Sequence, residues 1–364
     1  MDMAAFSETN RPRKLTRPGA VFCLTTVLLL TSWPLGSVTS SVFSLPRHRV
    51  SRQLEKLNED RGLLLRSPIS KVGADAVELT PQETSSLNII SSAAKKLKWH
   101  AAKKAWESCK VYKAPMCNGI MHAAFRCGQF RYGAKVYADM CDAGTLPTAI
   151  TYTSAVRLFT KLKNHAKARS LWEDARNGTW PTWTPRQKYL FLNEMVIDAA
   201  TAADLARVSM LLDEIVKEGM EIDAGTWGAA LNGCKLAAEP NVAEYFLELM
   251  AQRNISANEV HFRCVMAAYA GRPWQQVNEV ASRAAQLGID TLDRFFVDVH
   301  VASLLGSLSQ TSRVKSQAQA RKLVDEAKPE HRRATLDVIA QAKAQGTDLL
   351  RLTSRVYRAL QAKT

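Results

Sequence analysis

The sequence lacks the short motifs by which most chemistry announces itself. It contains no GxGxxG, no GxxxxGKS/T, no GxSxG and no HExxH. The dinucleotide turn, the P-loop, the nucleophile elbow and the zinc-protease helix are therefore not read here. The zinc-deaminase signature, HxE with PCxxC, is also missing. Seven cysteines form no CxxC pair, and the spacing of Cys117, Cys127 and Cys141 suits no zinc site. Most sit where a small apolar residue is wanted, which reads as reduced core thiols. The seven histidines form no ligand cluster. No active site, metal or cofactor is expected. Acidic residues are scarce too: 34 Asp and Glu stand against 49 Lys and Arg, giving a net charge of +15 and a pI near 9.6. Such a balance points to a polyanionic partner, nucleic acid or an anionic membrane.

No acidic residue lies between Glu8 and Glu55. Within that gap, Arg11, Arg13, Lys14 and Arg17 precede the apolar run Ala20–Leu30, and Gly36, Ser37, Ser40 and Ser41 follow it. The run is short, Thr-rich and followed by Pro34, which argues against a spanning helix. Residues 1–50 read as a targeting leader. A signal peptide followed by the basic stretch with Arg47, Arg49 and Arg52 resembles the bipartite plastid leader of algae with secondary plastids. Phe43 after the cleavage region fits that pattern. A plastid destination is expected, with a mitochondrion or the secretory pathway as alternatives, and no stable membrane anchor after leader removal. The leader holds six Lys/Arg and two Asp/Glu, so most of the positive charge lies beyond it.

What the chain does have is a period. In Ala114–Thr148, Ile120, Met121, Ala124 and Phe125 share one helical face, Gly128 interrupts, and Ala134, Tyr137 and Met140 form a second stripe. Gly144 offers a left-handed cap and Pro147 forbids continuation. A hairpin this small cannot bury its own apolar faces and must stack. Its positions recur. A small or β-branched residue stands at Gly133, Ala168, Val208, Ala243 and Val277, and a larger one at Tyr137, Trp172, Leu212 and Leu247, with Ala281 last. An apolar residue closes the second helix at Met140, Ala175, Ile215, Met250 and Ala284, and a cap follows at Gly144, Gly178, Gly219, Asn254 and Gly288. A helix–turn–helix period in the mid-thirties predicts an all-α solenoid.

The repeat is similar to that of the pentatricopeptide repeat family, whose 35-residue unit has an aromatic then Asn near its start, Gly mid-hairpin, a late Met and Gly-x-x-Pro-Asp. Ala114–Thr148 matches with Asn118, Gly128, Met140, Gly144 and Pro147, with Thr148 replacing the Asp. Tyr189–Asp223 matches with Asn193, Gly219 and Asp223. Ala224–Asn258 has Trp227-Gly228 where Tyr-Asn is usual. The resemblance covers roughly residues 83–292 and implies a right-handed α-solenoid that binds single-stranded RNA without chemistry of its own. The implied repeats are 114–148, 149–188, 189–223, 224–258 and 259–292. Before them come a linker with a short helix (51–83) and a degenerate repeat or cap (84–113). A basic helical cap (293–364) follows.

The resemblance also implies which residues face a base, one per repeat. They are Asn118 with Thr148, Thr153 with Lys188, Asn193 with Asp223, and Gly228 with Asn258, while Arg263 and Leu292 end the series poorly. Pro115, Ile150, Leu190, Gly225 and Val260 would sandwich the bases. The alternative is that Asn118 and Asn193 merely bond neighbouring loops. Eight residues beyond Asn118 and Thr153, on the same helix face, lie Arg126 and Lys161, candidates for phosphate contacts. Trp180 and Trp183, in the insertion Thr179–Thr184, either stack on a base or pack back on their hairpin. The competing function is a scaffold that holds a protein helix or peptide in its groove. With so few pairs, a protein partner supplying further specificity is expected. Asn177-Gly-Thr179 and Asn254-Ile-Ser256 are glycosylation sequons, relevant only to a secreted protein.

Overall fold

In a computed structural model, residues 78–362 are described. The leader, its processing region and the helix expected after Arg52 lie outside them. Among the described residues the chain is helices and turns, with no strand. Six hairpins follow one another: α1 (Pro81–Lys95) with α2 (Trp99–Ser108), α3 (Ala114–Arg126) with α4 (Phe130–Asp142), α5 (Ala149–Lys161) with α6 (His165–Asn177), α7 (Pro185–Thr201) with α8 (Leu205–Lys217), α9 (Ala224–Ala237) with α10 (Pro240–Gln252), and α11 (Glu259–Ala268) with α12 (Trp274–Gln286). Then come α13 (Arg294–Leu305), a single turn α14 (Leu308–Thr311), α15 (Gln317–Glu326), α16 (Pro329–Ala344) and α17 (Arg351–Gln361). No helix among the described residues is long and apolar enough to cross a membrane.

The recurring positions explain the stacking. Ala168, Val208, Ala243 and Val277 are fully buried, as are Met140, Ala175, Ile215, Met250 and Ala284. Gly133 shows why the first row is small. A Cβ there would come within 2.8 Å of Leu158 on α5. Gly233 lets α9 approach α7 closely, since its Cβ would lie 3.1 Å from the Ala200 Cα. Each first helix packs directly on the next, in the order α1, α3, α5, α7, α9, α11, α13. The second helices make at most slight contact with one another. The closer-packed layer is the inner one, so the first helices line the concave side.

Polar side chains start these helices. Thr80 with Glu83 and Thr184 with Gln187 form reciprocal capping boxes, while Asp223 and Asn258 cap α9 and α11. Two boundaries differ from the sequence reading. The expected repeat start at Tyr189 lies inside α7, which gains a turn because Thr184 and Pro185 start it earlier. The repeat expected to end at Leu292 runs one residue further, to Asp293, whose side chain caps α13.

The inserted Trp180 and Trp183 are 8% and 7% exposed. Both lie in a ring cluster with Trp172 and Phe191, at centroid distances of 5.2–6.1 Å. Packing on the hairpin is the reading that holds, and their burial removes them as base-stacking platforms. Beyond α13 the parallel stacking stops. His331 at the start of α16 bonds the Leu304 carbonyl, and Thr347 past its end bonds that of Leu292, so α16 runs antiparallel to α13 and closes the inner layer.

Candidate nucleic-acid interface

The inner helices and the caps that begin them carry the residues that the resemblance singled out, and at two of the four pairs the structure links them by polar contacts between successive repeats. Asn118 Nδ2 lies 3.5 Å from the hydroxyl of Thr148, which caps α5. The buried Asn118 Oδ1 has no hydrogen-bond partner among the described residues.

At the next matched pair the link is indirect and stronger. Thr226 Oγ1 lies 2.8 Å from Asn193 Oδ1 and 2.9 Å from Asp223 Oδ1. Tyr189 completes the network, its hydroxyl 3.0 Å from Thr226 Oγ1 and accepting the Asp223 backbone N–H at 3.0 Å. Burial pushes the Tyr189 phenol up to about 12, so it stays a neutral donor. Asp223 Oδ1 also accepts the Thr226 backbone N–H, at 2.7 Å. Asp223 thus ends a loop and caps a helix at once.

The other two pairs are not assembled in this way. Thr153 turns its hydroxyl back to the Ala149 carbonyl, 2.8 Å away. Lys188, expected in a loop beside it, sits inside α7. Its ammonium pairs with Glu218 at 2.8 Å and lies over the Trp180 ring, and this ion pair holds the Glu218 carboxyl below its ordinary range. The residue at the cap position is Thr184. Gly228 offers no side chain, and a Cβ there would meet His261 at 3.4 Å. Asn258 caps α11, and its backbone N–H donates to His261 Nδ1. His261 Nε2–H donates to the Ala224 carbonyl, and burial depresses its pKa, keeping the ring neutral in that role.

Of the sandwiching residues, Ile150 and Val260 are 59% and 48% exposed, large apolar side chains standing in solvent. Gly225 is exposed, and Pro115 and Leu190 are half-buried. Phe295, which sequence reasoning did not select, follows the Asp293 cap just as Ile150 follows Thr148. The guanidinium groups of Arg263 and Arg294 lie 5.8 and 4.8 Å from its ring centre. Arg126 and Lys161 are exposed at the ends of α3 and α5, with no ion pair or hydrogen bond among the described residues. Arg157, one turn before Lys161, is committed to Glu194 at 2.7 Å. Thr226, Tyr189 and His261 are the residues that the sequence reading missed. For Thr226 and His261 the available signal was the capping pattern, a polar residue three places after the N-caps Asp223 and Asn258. Among the described residues, no group of three His, Cys, Asp or Glu could hold a metal ion.

No family model matches the chain. No curated protein matches it either. Among solved structures, it is similar to the pentatricopeptide repeat protein PPR10 in complex with an 18-nt psaJ RNA element, at a TM-score of 0.48 and 14% identity, over 87% of this chain and 51% of that one. A cysteine-substituted form in complex with the same element gives the same values. PPR10 from maize gives a TM-score of 0.44 and 15% identity, over 86% and 44%. The chain spans about half the length of the solved structures it matches.

Proposed function

We propose that the inner face of the solenoid binds single-stranded RNA and reads bases where successive repeats meet. The observation that carries this reading is the junction of α7 and α9, where Thr226 meets both members of a donor–acceptor pair, its hydroxyl at Asn193 Oδ1 and its backbone N–H at Asp223 Oδ1. With Asn193 Oδ1 and Asp223 Oδ1 turned to Thr226, the Asn193 amide N–H groups and the second Asp223 oxygen have no hydrogen-bond partner among the described residues. A donor beside an acceptor complements O4 and N3–H of uracil, whereas cytosine presents the reverse pair. The exposed Ile150 and Val260 suit the flat faces of bases, and Arg126 and Lys161 suit phosphates, which add affinity but no sequence information. The net charge of +15 favours a polyanion over a neutral partner.

The role is occupancy: a bound transcript is shielded, or presented for processing or translation, in an organelle, for which the plastid is our choice. Two assembled pairs read too little to select a transcript alone, so a partner protein or an RNA structure supplies the rest. The test is the Asp223→Asn variant, assayed against RNAs that differ only in uracil or cytosine at this position. Asn caps a helix as well as Asp does, so the fold is retained. Preference should move towards cytosine by about 1 kcal/mol, the scale of a good base-edge contact. If both proteins rank the two bases alike, the groove does not read through these residues, and the protein-scaffold function takes its place.

A further inference from the structure

The positive charge is not spread evenly along the array. Residues 84–172, from the first turn of α1 into α6, hold 15 Lys and Arg against three Asp and Glu. Residues 173–364 hold 23 of each. The first three hairpins therefore carry the excess, and the chain beyond them is balanced.

Much of that excess stands on one edge. The inner helices α1, α3 and α5 run parallel, so the turns that close their hairpins fall side by side. Trp99 at the start of α2 meets Tyr132 at the start of α4 edge-on, with ring centroids 5.0 Å apart. Gly133, next to Tyr132, lies against Leu158 near the end of α5. Along this edge stand Lys95, Lys96 and Lys98, then Arg131, then Lys163 and Lys167. All are exposed, and none makes an ion pair or a side-chain hydrogen bond among the described residues.

Local electrostatics disfavours the arrangement. A helix N-terminus is the positive end of its dipole, where a carboxylate is the favourable neighbour. The outer helices α8 and α10 follow that rule, with Asp204 and Glu239 as N-caps. By contrast, α2 has Lys98 as its N-cap, and α4 and α6 carry Arg131 and Lys167 in their first turns. Cations that repel one another and three helix ends suit a surface neutralised from outside the chain. The edge also lacks a stacking platform. Trp99, Phe125, Phe130 and Tyr132 are packed against the core, and of the large apolar side chains there only Leu97 is exposed.

We propose that this edge holds the phosphate backbone of a double-stranded RNA stem, beside the groove that takes its single-stranded flank. A stem hides its base faces and is gripped through phosphates and shape, which needs cations and no exposed aromatic rings. Three helices packed 8–10 Å apart make a strip of about 20 Å. A duplex presents on the order of ten phosphate charges over that length. Arg126 and Lys161 end α3 and α5 at the same edge, where a strand leaving the groove meets the stem. The placing of the flank rests on the groove reading; the grip on the stem does not need it.

The experiment measures affinity and salt dependence of the full chain for three RNAs: a blunt duplex, a single strand, and that strand joined to the duplex. The edge variant is Lys95→Gln/Lys98→Gln/Arg131→Gln/Lys163→Gln. A second variant, Arg313→Gln/Lys315→Gln/Lys328→Gln/Arg333→Gln, removes the same charge from exposed positions at the other end of the chain. The groove variant is Ile150→Glu/Val260→Glu. Both charge variants should melt like the parent. The joined RNA should bind about tenfold or more tighter than the strand alone, because its second contact is intramolecular. The edge variant should abolish that gain and lower the salt slope by roughly three to four, at about 0.9 for each duplex contact. The distant variant should keep the gain, and the groove variant should lose the strand while keeping the duplex. A duplex held through the edge by a chain that ignores the single strand would support the proposal and sink the groove reading. No gain from the duplex, or a gain lost equally in both charge variants, would overturn the proposal. So would phosphatidylserine vesicles held through the same four cations when the duplex is not, which would assign the edge to a membrane surface.

Discussion

Thr226 Oγ1 lies 2.8 Å from Asn193 Oδ1, so a threonine of one repeat fixes the amide of the repeat before it. The hydroxyl is fully buried, and Asn193 itself is half-buried. Replacing Thr226 by Val keeps the shape and removes the donor. Stability should fall by about 1–2 kcal/mol, from buried acceptors left unpaired. The freed amide can then turn over and present its oxygen, so the preference for uracil over cytosine should shrink. Denaturant midpoints and paired RNA affinities measure the two effects. A destabilised variant with base preference intact would mean that something other than Thr226 orients Asn193.

The turn inside each hairpin holds a residue in the left-handed region, and often it is not glycine. Lys163, Ala203 and Ala238 have φ of 57°, 56° and 56°. An L-residue pays about 1–2 kcal/mol for that conformation, and glycine gives back part of the gain through its freer unfolded chain. Ala203→Gly and Ala238→Gly should therefore each stabilise by roughly 0.5–1 kcal/mol. Thermal melts decide it; a lower melting temperature in both would show that the turns carry no strain.

These turns mark where the sequence stops being legible. Lys163 and the two alanines are ordinary helix formers, and only the stacking of neighbouring hairpins forces the chain to reverse there. The outer caps were readable because Gly144, Gly219, Asn254 and Gly288 take positive φ. Gly178 breaks that row with φ −111°, since the chain passes almost at once into the turn at Trp180. At the site, Asn193 and Asp223 were visible because a residue repeated in phase is a position repeated in space. Thr226 was not, because a threonine in a first helical turn looks like any other until the Asn opposite it is placed. The four-residue slip at Tyr189 has a similar cause. The apolar period of α7 gives its phase but not its first turn, which Thr184 and Gln187 set.

His300 is buried, with its Nε2 2.8 Å from Asn278 Oδ1, and burial pushes its pKa from 6.5 down to about 4. His122 and His261 are shifted the same way, again by burial first. The unfolded chain therefore binds protons that the folded chain refuses. The stabilisation is complete above pH 6.5 and is lost as pH falls towards 4. For His300 alone the loss by pH 5 should be about 2 kcal/mol. Unfolding free energies at pH 7.5 and 5 should converge in His300→Gln relative to the parent. A parent whose stability is flat across that window would mean that His300 is solvated.

Cations are unevenly spread along the inner face, and this sets the last expectation. The position eight residues past the base-facing one is Arg126, then Lys161, but next Thr201 and then Leu236. Arg126 and Lys161 are exposed and unpaired, whereas Arg157 on the same face is neutralised by Glu194. Phosphate grip should therefore be concentrated at α3 and α5. Each contact to a single strand contributes about 0.7 to the slope of log affinity against log salt, through counterions released. Replacing Arg126 and Lys161 together by Ala should lower that slope by about 1.4 and weaken uracil- and cytosine-bearing RNAs alike. Arg157→Ala should leave the slope nearly unchanged, because its charge is already spent on a neighbouring carboxylate. The decisive comparison is between these two variants at matched temperature. If Arg157 moves the slope as much as the pair does, the strand runs over the middle of the inner helices and not past their ends. If none of the three moves it, phosphates are not held on this face, and the groove is left to a protein partner.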